Sequence, residues 1–159
     1  MHRAVSVFLF NKRGHLLIQR RAGMKYHFGG LWANSCCSHP FVEETALQAA
    51  QRAVFHELGV VPTLSEVGVV IYDAHDDKSD LTEREYDHIF FGSWDDFVLP
   101  NTAEVNGVRW VSGHELGTEL RSNPEKFAPW LPMILRELKN KKIDGRSVFG
   151  RFLSDFNRA

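Results

Sequence analysis

A chain of 159 residues, 43% hydrophobic and 25% charged, is enough for one folded domain around one core. Its formal net charge of -1 gives no reason to expect nucleic acid or a membrane surface as a partner. The only cysteines, Cys36 and Cys37, are adjacent, a spacing that rarely makes an unstrained disulfide. A reducing, cytoplasmic setting is therefore the expectation, and no apolar run is long enough for a signal peptide or a membrane span.

Residues Ala4 to Phe10 are β-branched and aromatic, Asn11-Lys12-Arg13-Gly14 makes a turn, and His15 to Arg20 returns as a strand, which predicts a hairpin. A loop with Gly23, Gly29 and Gly30 follows, then a short strand at Trp32 to Ser35 that leads to Cys37. From Thr45 the period changes. Leu47, Ala50, Val54 and Leu58 fall at helical spacing, with Thr45-x-x-Gln48 as capping box and Gly59 as C-cap. Strands are expected again at Val67 to Tyr72, Tyr86 to Trp94 and Val105 to Val111, with Asp73 to Asp80 as a polar loop. The remainder reads as helical. Ser112-x-x-Glu115 opens one helix. Pro124 stands near the start of another, carrying Phe127, Trp130, Leu131, Ile134, Leu135 and Leu138. Phe149, Phe152, Leu153 and Phe156 form an apolar stripe in the tail.

Two short stretches carry most of the chemistry: Cys37-Ser38-His39, read as one loop, and Glu83-x-Glu85. Residues two apart on a strand face the same side, so both glutamates would project together. Like charges placed side by side are costly unless a cation binds between them. A metal is the natural explanation. Taken alone, Cys37 would be a small buried apolar residue, Trp130 core, and Arg21 and Lys25 ordinary surface charges; Cys36, His56, His88 and His114 are assigned structural or exposed places.

From Ser38 to Val60 the frame resembles a degraded Nudix box, whose pattern is Gly-x5-Glu-x7-Arg-Glu-U-x-Glu-Glu-x-Gly-U. Arg52, Glu57, Gly59 and the apolar positions match, and Glu44 sits at the early glutamate. Ser38 replaces the first glycine, and Ala53 and His56 replace two glutamates of the metal-holding cluster. The resemblance implies an α+β fold, a Nudix-like α/β/α sandwich with a mixed sheet and the degenerate box helix at about 45–58, formed by residues 1–159 as a single domain.

The departures point to one branch. The chain resembles type I isopentenyl diphosphate isomerase in Leu9-Phe10-Asn11-Lys12-Arg13-Gly14, Leu16 to Ala22, Gly30 to Pro40, Glu57-Leu58-Gly59-Val60, Glu83-x-Glu85 and Phe127-Ala128-Pro129-Trp130. The resemblance implies an enzyme that interconverts isopentenyl and dimethylallyl diphosphate through a tertiary carbocation. Protonating an alkene and deprotonating its neighbour needs two proton-handling groups. By resemblance these are Cys37 and Glu85, with Tyr72 assisting and Trp130 placing an indole face against the cation. The resemblance also implies a Mn2+, Mg2+ or Zn2+ ion on His2, His39, Glu83 and Glu85. A second ion, Mg2+ on Glu57, would meet the substrate diphosphate, with Arg21 and Lys25 on its oxygens.

Members of that family carry a further segment before the histidine matched by His2, and it supplies a fifth metal ligand. The expectation is a domain lacking this segment, with His15, His27 or His75 as candidate substitutes. Two competing readings are a Nudix-type diphosphate hydrolase, disfavoured by Ala53 and His56, and a non-catalytic ligand-binding homologue.

Overall fold

The computed structural model of the chain describes residues 1–25, 27–76, 80–141 and 144–159, without the side chains of Leu81 and Glu83. In chain order the elements are β1 (His2–Phe10), β2 (Leu16–Arg21), β3 (Trp32–Ala33), β4 (Cys36–Ser38), α1 (Ala46–Leu58), β5 (Leu64–Asp76), β6 (Leu81–Ser93), β7 (Val105–Val111), α2 (Gly113–Ser122), α3 (Trp130–Lys139) and α4 (Val148–Arg158). The sheet is mixed. β1 runs parallel to β6 along its whole length, from His2 opposite Glu85 to Phe10 opposite Ser93, and antiparallel to β4. β5 pairs antiparallel with β6, while β2 pairs antiparallel with β3 and β7.

The two-residue period of β1 builds two cores. Val5, Val7 and Leu9 join Ala49, Ala50, Ala53 and Val54 of α1 on one face. Phe8 and Phe10 join Leu131, Ile134 and Leu135 of α3 and Phe149 and Phe152 of α4 on the other. This is the expected α/β/α sandwich, and alternation on a doubly covered strand is its cause. α1 starts and stops where its caps dictate: Thr45 and Gln48 close a capping box, and Gly59 takes a left-handed φ of 67°. A Cβ on Gly59 would lie 2.9 Å from the Leu99 carbonyl, so the position also needs glycine for room.

The first hairpin forms as expected but is short, with Phe10 opposite Leu16 and the Asn11 N–H on the His15 carbonyl, because β1 finds its long partner in β6 and β2 in β7. Three expectations need correction. Cys37 lies in strand β4, opposite Ser6, rather than in a loop. The polar residues Asp73 to Asp76 continue β5, since their partners Leu81 to Arg84 on β6 supply the ladder; Asp77, Lys78 and Ser79 lie outside the described residues. Phe127 precedes α3, following a single 3-10 turn at Pro124–Lys126. Among the described residues no helix is long and apolar enough to cross a membrane.

Candidate active site

A cavity of about 350 Å³ opens between the first half of β1, the end of β2, β4 and α1, with Trp130 of α3 in its wall. Cys37, Glu85, Tyr72, Trp130, Arg21, Lys25, His39 and Glu57 all line it, although they come from seven separate places in the chain. His2 stands beside it at the start of β1, and the Glu83 side chain lies outside the described atoms. Both cysteines are free; strand alternation sends Cys36 into the α1 core and Cys37 toward the cavity.

Cys37 holds its proton. Burial pushes its thiol up to about 12, although the nearby Arg21 pulls the other way. Its Sγ lies 3.1 Å from Asn34 Oδ1, to which it donates, and 3.7 Å from Ser6 Oγ. Ser6 donates in turn to Asp87 Oδ2 at 2.7 Å. Asp87 is fully buried, and burial raises its carboxyl to about 7, against the hydrogen bond from Ser6 and with the help of Glu85. These two residues reach the site because β1 and β6 run parallel, which no local pattern announces.

Glu85 is 1% exposed. Its Oε1 lies 3.1 Å from His39 Nε2 and 3.9 Å from His2 Nδ1, while Oε2 is buried with no hydrogen-bond partner among the described residues. The two imidazoles stand edge to face with centroids 6.4 Å apart. Two nitrogen donors thus turn toward one carboxylate that keeps an orphaned oxygen, a donor set suited to a divalent ion. Among the described residues no group of three or more such side chains is already closed around an ion position. His39 is fixed from behind: Arg52 donates to its carbonyl at 3.0 Å and grips Glu44 through Nε at 2.8 Å and Nη2 at 2.9 Å. That Arg–Glu pair, both members of the box pattern, makes the loop before α1 a rigid carrier of His39.

At the other end of the cavity charges alternate. Lys25 bridges Glu57 Oε1, at 3.2 Å, and Glu104. Burial works against its charge, but Glu57 and Glu104 outweigh it and hold Lys25 above its ordinary value. Gln19 donates to Glu57 Oε2 at 2.7 Å, so both carboxylate oxygens are aimed. The Arg21 guanidinium lies 5.2 Å from the Trp130 ring centroid, so this indole already meets a cation. Glu104, from the turn before β7, was not readable as a site residue, and neither were Ser6, Asn34 and Asp87. His56, expected to stand apart, lines the cavity with Nε2 3.8 Å from Glu104. Of the candidate substitute histidines, His27 lines the cavity and His75 pairs with Thr82 at 3.0 Å.

Both the fold and the sequence have counterparts in known proteins. A protein from Deinococcus radiodurans superimposes with a TM-score of 0.73 over 86% of this chain and 82% of its own, at 21% identity. A MutT protein from Methanosarcina mazei Go1 does so with 0.65 over 87% and 96%, also at 21%. These likenesses speak to fold. In sequence, the NUDIX domain pattern matches residues 1–131. An isopentenyl-diphosphate Delta-isomerase of Streptomyces coelicolor is 47% identical over 136 residues, covering 85% of this chain and 68% of that relative. One from Serratia proteamaculans is 41% identical over 144 residues, 91% and 80% of the two chains. Identity at that level over most of both chains, with the domain pattern spanning residues 1–131, means that this chain belongs to the NUDIX domain proteins and, within them, to the isopentenyl-diphosphate Delta-isomerase family.

Proposed function

We propose that this protein interconverts isopentenyl diphosphate and dimethylallyl diphosphate, with Cys37 and Glu85 as the two proton-handling groups. The observation that carries the reading is one small cavity bearing a protonated thiol, a buried carboxylate and an indole at one end and a cationic pair at the other. One group adds a proton to the terminal alkene carbon, giving a tertiary cation; the other removes a proton from the carbon on its far side. In the reverse direction the two exchange roles, so atoms and charge balance without an oxidant or a co-reactant. Trp130 offers its face to the cation, and Tyr72, beside Glu85 on the paired strand β5, assists the proton's movement. The buried surroundings keep water from capturing the cation.

His2, His39, Glu85 and, by its place on β6, Glu83 would hold a Mn2+, Mg2+ or Zn2+ ion. When bound, such an ion orients Glu85 and tunes its basicity. At the far end, Arg21 and Lys25 are balanced by Glu57 and Glu104, so a diphosphate arrives with its charge uncompensated. Glu57 would hold Mg2+ there, sharing an oxygen that already faces the Lys25 cation. Arg21 and Lys25 bind the phosphate oxygens. Two free cysteines suit a reducing, cytoplasmic compartment. We read the 159 residues as one such isomerase domain.

Hydrolysis by the box route is the weaker reading, since Glu57 is the helix's only carboxylate in the cavity. Incubation with isopentenyl diphosphate and a divalent ion, followed by proton and phosphorus NMR, separates the possibilities. Dimethylallyl diphosphate is the expected product. Released phosphate would mean a hydrolase, and unchanged substrate a binding protein.

A further inference from the structure

Asn34 is fully buried, and all of its hydrogen-bonding capacity is spent around the cavity. Its amide nitrogen donates to the carbonyls of Val7, at 3.1 Å, and Cys36, at 2.9 Å. Its Oδ1 accepts from the Cys37 thiol at 3.1 Å and from Trp130 Nε1 at 3.1 Å. The orientation is forced. Turned over, the amide would set its N–H groups against the indole N–H and its oxygen against two backbone carbonyls. One oxygen atom therefore joins two groups 93 residues apart, the thiol on β4 and the indole on α3.

Among the described residues nothing else duplicates this. The single proton of Ser6 Oγ goes to Asp87, and Ser6 stands 3.7 Å from the sulfur, farther than Asn34. Trp130 Nε1–H has Asn34 as its acceptor in a wall otherwise made of Phe28, 5.1 Å away edge to face, and Arg21. A thiol and an indole are both weak at fixing their own direction. The thiol rotates about one bond, and an indole face has no directional contact but its N–H.

We infer that Asn34 is a positioning residue for the isomerisation, its Oδ1 fixing together the direction of the Cys37 S–H and the tilt of the Trp130 ring. The inference rests on the proposed roles of Cys37 and Trp130. It assigns Asn34 no contact with the substrate. It explains why a polar amide is kept in a place where burial would favour an apolar side chain. Misplacing a reacting group by about 1 Å costs on the order of 10²-fold in rate, so turnover should be sensitive to this atom and diphosphate binding should not.

The test compares Asn34→Ala and Asn34→Asp with the unaltered chain, using isopentenyl diphosphate and a divalent ion. Calorimetric binding stoichiometry gives the competent fraction of each preparation. Asn34→Ala should lower kcat per competent site about 10²-fold with KM within about threefold, because Arg21, Lys25 and Glu57 are untouched. Asn34→Asp keeps an oxygen for the thiol and the indole while losing the amide donors. It should recover at least about tenfold of that kcat over Asn34→Ala, at a lower Tm. A kcat per competent site within about threefold of the unaltered chain in Asn34→Ala, or Asn34→Asp no faster than Asn34→Ala, overturns the inference.

A second measurement needs no variant at position 34. One of the four indole N–H signals, identified by its loss in Trp130→Phe, should exchange slowly with solvent deuterium. Exchange as fast as an exposed indole would show that the bond to Asn34 is absent, and the inference falls. If the unaltered chain makes no dimethylallyl diphosphate, the proposed function fails instead, whatever the indole signal does.

Discussion

At the residue scale, the sheet makes neighbours in sequence into opposites in role. Cys36 is fully buried against α1, and burial raises its thiol well above its ordinary value. Cys37→Ala should reduce isomerisation by at least ~10²–10⁴-fold with little change in Tm. Cys36→Ala should keep turnover and lose about 1 kcal/mol of stability through its small cavity. Steady-state kinetics and thermal melts on the pair decide it, and like behaviour of the two would remove the role from Cys37. Glu85→Gln and Glu83→Gln form a second pair. Both should weaken ion binding, but only Glu83→Gln should regain turnover at high metal concentration, because an amide at 85 cannot accept a proton. Equal rescue would count against Glu85 as a proton carrier. That Glu83 and Glu85 lie two positions apart on one strand was readable from the local pattern, and that Cys37 and His39 reach one cavity because they share one short stretch. Ser6, Asn34, Asp87 and Glu104 were not, since a lone serine, amide or acid gains its meaning only from the strand or helix that the fold sets beside it. The place of Arg21, Lys25 and Trp130 in one cavity was legible only through resemblance.

Among the elements, the turn entering α1 does the work of holding His39. Glu44 is pulled down to about 2 from an ordinary 4.5, first by its hydrogen bonds from Arg52 and then by the Phe41 N–H. A carboxyl whose folded value is depressed adds stability above its unfolded value and loses it as pH falls. The window here runs from about 4.5 down to about 2. Urea midpoints measured across that range should fall less steeply in Glu44→Gln than in the unaltered chain; identical slopes would show the pair to be idle. The same substitution should weaken metal binding at neutral pH, since Arg52 would then grip the His39 carbonyl alone. Caps, period and closing glycine made α1 legible from sequence almost to the residue, because each is a local cause. β4 and the far end of β5 were misread for the opposite reason: three residues around two cysteines, and a polar run at Asp73–Asp76, become strands only when β1 and β6 supply partners.

Across the whole molecule, α4 lays Phe149 and Phe152 on Phe10, with ring centroids 5.5 and 5.4 Å away, on the face that also carries Trp130. Phe152→Ala should cost about 3–5 kcal/mol through the cavity it leaves. It should lower Tm while KM for the substrate stays within about twofold, because Phe152 is not among the residues that line the cavity. A large rise in KM would mean that the tail helix shapes the cavity directly. Sandwich architecture was legible through the resemblance carried by the box helix, whereas the partner of β1 was not, because parallel pairing leaves no turn to mark it. That pairing also has a consequence in time. During synthesis β1 must wait for a strand more than eighty positions later before this edge is filled. β1 is one of the most apolar segments of the chain, and until β6 arrives it offers an open edge to any passing neighbour. Nascent chains halted before position 81 should therefore clump or bind chaperones, and refolding should be slow, since a long loop must close before the central ladder can form.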